Sequence, residues 1–131
     1  MGSSCVVKRG QQLRTARRHN EKHLSFIRNL PCIKCLDNTS TEAAHLRRAD
    51  ARIAKPISGI GIKPDDRFVL PLCGKDHRRQ HAIGEKAFWV DCDPELWALA
   101  LYSISGDQEA GEKIVQAAFR SSEPVNILAA G

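Results

Sequence analysis

Two thiols with two residues between them, Cys32 and Cys35, are spaced so that one tight turn can present both sulfurs to a single metal ion. Cys73 is the obvious third ligand. For the fourth the sequence offers two candidates, Asp76 at Cys-x-x spacing from Cys73 and His77 at Cys-x-x-x-His spacing, and zinc accepts either donor. Further along, His77 and His81 stand four apart in a stretch that reads as helix. Both imidazoles then leave one helix face, which is how a helix offers two nitrogens to one ion. His45 is the candidate general base, because a neutral imidazole with a pKa of about 6.5 can take a proton at working pH.

Charge surrounds these residues. Net charge is +5 and the pI about 9.1, a balance that favours polyanionic partners. Arg47, Arg48, Arg52 and Lys55 follow His45 directly, and Arg78 and Arg79 lie between the other two histidines. Basic residues bracketing three histidines are read as phosphate contacts, with Arg47, Arg48, Arg52, Arg78 and Arg79 the nucleic-acid-binding candidates. A further group, Lys8, Arg9, Arg14, Arg17 and Arg18, crowds the N-terminal arm, where a solvated surface explains it equally well.

The five cysteines are an odd count, and the N-terminus has no signal-like apolar core, so a disulfide framework is disfavoured against metal binding. Cys5 needs no special role, and Cys92 reads as a free thiol. No apolar run approaches the roughly 20 residues that a membrane span requires, so the expectation is a cytoplasmic protein without a membrane partner.

The elements that must position these groups can be placed coarsely. At 131 residues and 42% hydrophobic content the chain suits one domain with a modest core. Residues 1–18 read as a basic flexible arm, 19–92 as the core carrying the chemistry, and 93–131 as a helical extension of the same domain. Leu24, Ile27 and Leu30 fall at helical spacing before Pro31, which supplies a stop. Residues 42–47 read as a short strand with Ala43, His45 and Arg47 on one face. Residues 49–66 form a long loop rich in turn residues, 67–72 a second strand, and 75–83 a helix restarting after Gly84. Asp93-Pro94-Glu95 opens another helix ending near Gly106, and an amphipathic helix follows over about 108–119. The fold class expected is α+β.

Taken together, Cys32-x-x-Cys35, Ala44-His45 and Pro71-Leu72-Cys73-Gly74-Lys75-Asp76-His77 with His81 resemble the HNH (ββα-metal) endonucleases. Glu42-Ala43-Ala44-His45, Gly59-Ile60-Gly61-Ile62-Lys63-Pro64-Asp65-Asp66-Arg67 and Pro71-Leu72-Cys73 look closer still to a phage and prophage branch that includes the recombination-enhancement (Ref-like) nucleases. The resemblance spans about residues 20–90. It implies a ββα-metal core with a structural zinc, an N-terminal helix and a helical C-terminal extension.

By the same resemblance, His45 activates water and His77 and His81 hold one catalytic divalent ion (Mg, Mn or Zn). Cys32, Cys35 and Cys73 hold a separate structural zinc, and the substrate is DNA, cut with little sequence specificity. Whether a recombination protein is a partner is left open. Three positions depart from the family pattern. Asp76 stands where many members have a fourth Cys or a His, Ala44 stands where many have an acidic or His metal ligand, and Asp66 is the nearest substitute for the missing Asn.

Two rivals use some of the same residues. In a non-catalytic zinc module binding nucleic acid, Cys32, Cys35, Cys73 and His77 would close one four-coordinate site with no position for substrate. The deaminase-like pair His19-Asn20-Glu21 and Pro31-Cys32-Ile33-Lys34-Cys35 has only nine residues between Glu21 and Pro31, and it leaves Cys73, His77 and His81 without work.

Overall fold

The computed structural model describes residues 19–48 and 65–121. Residues 1–18, expected to be a basic arm, residues 49–64, expected to be loop and including Arg52 and Gly59–Lys63, and residues 122–131 lie outside the described residues.

Helix α1 (Glu21–Arg28) starts where Asn20 can cap it, its side chain accepting the His23 N–H at 3.0 Å. Its buried face carries His23, Leu24, Phe26 and Ile27. The helix stops short of Pro31, as expected from the sequence, and the chain enters the Cys32–Cys35 turn.

Strands β1 (Thr41–His45) and β2 (Val69–Cys73) pair antiparallel, in a register running from Thr41 opposite Cys73 to His45 opposite Val69. β2 is buried along its whole length, whereas in β1 only Ala44 is. Both strand boundaries differ from the sequence reading. The N–H groups of Arg47 and Arg48 turn away from the ladder to the Glu85 carboxylate, at 2.7 and 3.1 Å, so β1 ends at His45. The Arg67 N–H bonds the Asp65 side chain at 2.9 Å in a turn, and β2 starts after it, two residues later than expected. Leu46 N–H still bonds Phe68 O at 2.8 Å, so in this register Arg48 carries the next N–H of the ladder, and Glu85 takes it; strand periodicity does not reveal this.

Helix α2 (Gly74–Ile83) follows β2 without a break, and Gly84, at φ 91°, ends it. A short helix α3 (Glu85–Phe88) leads to α4 (Pro94–Ser103) and α5 (Gln108–Ser121). Proline stands at the first position of α4, as its sequence signal predicts, although Asp93 makes no side-chain capping bond. α1 and α2 each contact both strands, while α4 packs on β2 and α5. The core between them includes Ile27, Leu30, Leu46, Leu70, Leu72, Trp89 and Leu101. The architecture is α+β with a two-stranded sheet, and its central order is strand, strand, helix. Among the described residues no helix is long and apolar enough to cross a membrane.

Candidate metal centre and histidine site

The sulfurs of Cys32, Cys35 and Cys73 and a carboxylate oxygen of Asp76 lie within 4.8 Å of one another. Three local structures bring them together. The Cys32–Cys35 turn closes through Leu36 N–H to Cys32 O (2.7 Å) and Cys32 N–H to Asp37 O (2.8 Å). It requires Leu36 at φ 65°, a left-handed conformation that a leucine adopts at a cost of about 1 kcal/mol or more. The Ile33 N–H then bonds Pro71 O at 2.9 Å, pinning the turn to β2. Cys73, last residue of β2, caps α2 by accepting the Asp76 N–H on its sulfur at 3.4 Å, which turns Asp76 toward the thiols.

Within the cluster, Cys35 and Cys73 sulfurs are 3.9 Å apart, and Asp76 Oδ2 is 3.3 Å from Cys32 Sγ and 3.5 Å from Cys73 Sγ. Burial pushes the Cys32 thiol well above its usual value and raises Cys35 in the same direction. A bound dication offsets that penalty, because thiolates are its ligands and binding it releases their protons. Of the two fourth ligands the sequence offered, Asp76 is in the cluster. Cys92 is a half-buried free thiol whose burial pushes it up to about 11.

His77 turns elsewhere. Its Nδ1 is 2.7 Å from Glu42 Oε1 on β1, and its ring centre is 4.9 Å from that of His81. Spacing alone identified the His77–His81 pair, but not Glu42, which lies 35 positions away and reaches the helix only through the strand register.

His45 forms a third group, with Asp66. Its Nε2 lies 2.7 Å from Asp66 Oδ1, while Asp66 Oδ2 accepts the Asn20 N–H at 2.8 Å and stands 3.1 Å from His19 Nδ1. Asp66 is 1% exposed. Burial tends to raise its pKa, but the Asn20 N–H, the His45 hydrogen bond and the charges of His45 and His19 outweigh this and hold it below the usual carboxylate value. An ionised carboxylate only accepts hydrogen bonds. The His45 Nε2–H therefore donates to Asp66 Oδ1.

The arginines divide by role. Arg48 grips buried Glu95 through Nε at 2.7 Å and Nη2 at 3.0 Å, a bidentate pair that fixes the chain after β1 to α4. Arg47, Arg78 and Arg79 are exposed, and the Arg79 guanidinium lies 5.4 Å from the centre of the Phe88 ring. Arg52 is outside the described residues.

Fold and site together define a small α+β domain that joins a candidate Cys3Asp metal centre to a pair formed by a strand histidine and a buried carboxylate. A family described as "Protein of unknown function (DUF968)" matches residues 11–89, more than half of the chain, and the chain belongs to that family. No curated protein and no solved structure matches it. The matched span holds Cys32, Cys35, Cys73, Asp76 and all the histidines named above, and ends before α4 and α5.

Proposed function

We propose that this domain is a metal-dependent endonuclease of the HNH (ββα-metal) type, hydrolysing phosphodiester bonds in DNA. The observation that carries the reading is the His45–Asp66 pair, 2.7 Å apart, with His45 on a strand of the unit whose helix bears His77 and His81. A base oriented by a buried carboxylate is the arrangement that activates a nucleophile, here water. The order strand, strand, helix supports a ββα core, and three thiols with one carboxylate suit a structural zinc.

In this reading His45 Nδ1 takes the proton of the attacking water, and Asp66 holds the ring in the required tautomer and favours the imidazolium that forms. Arg47, Arg78 and Arg79 position the DNA backbone through its phosphates. His77 and His81 would hold a divalent ion (Mg, Mn or Zn), which when bound supplies positive charge to the phosphate and the departing oxygen. The donor set fits: with metal–nitrogen bonds of about 2.1 Å, two imidazoles on one ion have ring centres about 4.5–5.3 Å apart, and these stand at 4.9 Å.

The binding-only alternative places His77 among the thiols; with Asp76 there and His77 against Glu42, the nuclease reading accounts for more of the site. Cleavage of supercoiled and single-stranded DNA with Mg, Mn, Ni and Zn tests it, metal-dependent nicking being the expected outcome. One tightly held ion, salt-sensitive DNA binding and no cleavage with any metal would instead establish the binding module.

A further inference from the structure

We propose that Glu42 is the positioning carboxylate of the His77/His81 ion site, locking His77 in the tautomer that leaves its Nε2 for the metal. The proposal rests on the reading that these two histidines hold a divalent ion, and it adds a residue for which neither the spacing of the motif nor the position next to His45 provides.

Three observations carry it. First, Glu42 Oε1 is 2.7 Å from His77 Nδ1. An ionised carboxylate only accepts, so the hydrogen is on Nδ1 and the lone pair on Nε2. A carboxylate behind a metal-binding histidine fixes ring orientation and raises ligand basicity.

Second, the seat for this carboxylate is built into the backbone. Gly74 opens α2 beneath it, and an ideal Cβ there would sit 3.2 Å from Glu42 Oε2 and 3.3 Å from Arg78 Nη1. Both distances are tighter than ordinary van der Waals contact, so any side chain at position 74 would press on the carboxylate.

Third, the register assigns the place. Thr41 pairs with Cys73 and Glu42 with Leu72, which sets Glu42 beside the first turn of α2, where His77 lies. Alternation along β1 puts Glu42 on the opposite face from His45, so it is not a partner of the base. Ala44, beside the base, has no ligand to offer, and Glu42 is the next residue of β1 on that face to carry one.

The test uses the full chain as isolated, at pH 8, where histidine is mainly neutral, and compares wild type with Glu42→Ala and Glu42→Gln. Mn2+ is the probe, because thiolates select softer ions and leave the histidine site as its target. Long-range 1H–15N spectra read the His77 tautomer. Paramagnetic broadening shows whether Mn2+ reaches the His77 and His81 rings, and electron paramagnetic resonance of free Mn2+ gives the affinity.

The expected result is Nδ1–H on His77 in wild type and broadening of both rings. Glu42→Ala should move the hydrogen to Nε2 and weaken Mn2+ binding by about 10- to 100-fold. Glu42→Gln, which keeps a carbonyl acceptor, should restore part of both. Absence of broadening in wild type, an unchanged tautomer in Glu42→Ala, or an unchanged affinity would each overturn the proposal. Neither readout involves DNA, so a wild-type protein that passes both yet never cleaves overturns the nuclease reading alone. One that cleaves while Glu42→Ala changes nothing overturns this inference alone.

Discussion

Asp66 and His23 show how much single buried residues depend on their partners, and both make stability depend on pH. His23 is fully buried between Phe26 and Tyr102, with Nδ1 on Ser105 Oγ at 2.7 Å and Nε2 without a hydrogen-bond partner among the described residues. Burial lowers its pKa, and the charge of Asp66 only partly opposes this. The unfolded chain therefore takes up the His23 proton first, and stability declines as pH falls below about 6.5. Asp66 behaves as a depressed carboxyl: its contribution is complete above about 3.9 and is lost as pH falls through its lower folded value. Thermal unfolding followed from pH 7.5 to 2.5 should show two acid limbs. His23→Phe should flatten the upper one and Asp66→Asn the lower one. Limbs unchanged in the variants would assign the acid sensitivity elsewhere. At this scale the sequence was informative where spacing is local, as for Cys32–Cys35 and His77–His81. Glu42 and the Asp66 contact with His45 depend on strand pairing and on residues 21 and 35 positions apart, which no local pattern encodes.

Elements were legible to the extent that their own residues end them. Pro31, Gly84 and Pro94 mark helix limits by conformation, and the helices lie close to where these residues place them, while the Asn20 cap of α1 emerges from the structure. The strands were harder to delimit, since Glu85 takes the Arg48 N–H that would continue the ladder and Asp65 and Arg67 fold into a turn before β2. Packing between helices was not legible at all. Gly111 on α5 has no turn to make, yet an ideal Cβ there would stand 2.8 Å from Phe26 Cζ and 2.9 Å from Leu30 Cδ2. Glycine is present because α5 lies directly on the buried face of α1. Alanine would gain about 1 kcal/mol of helix propensity, but the clash strains a packed ring and a core leucine. Overpacking of this kind costs about 1–3 kcal/mol, so Gly111→Ala should lower stability on balance. A denaturant midpoint equal to or above wild type would mean that the α1–α5 contact is looser than described.

At the scale of the molecule, one candidate metal cluster links three parts of the described core. The cluster of Cys32, Cys35, Cys73 and Asp76 ties the turn after α1, the end of β2 and the start of α2 into one node. For a domain of this size a metal clip is a substantial part of folding stability. Removing the ion with a chelator, or replacing Cys35 with Ser, should lower the unfolding temperature and broaden the transition. Re-adding zinc should restore the wild-type protein but not the variant. An unfolding temperature indifferent to chelation would mean that the four residues hold no ion.

The central claim, that His45 is the base of a metal-dependent nuclease, is tested most directly by nicking of supercoiled plasmid under Mg, Mn, Ni and Zn, with wild type beside His45→Ala. The account predicts metal-dependent nicking by wild type and none above background by the variant, with unchanged metal content and a comparable unfolding temperature. A variant that nicks at the wild-type rate would contradict the assignment of the base, and a wild-type protein that fails to nick with every one of these metals would contradict the nuclease reading itself.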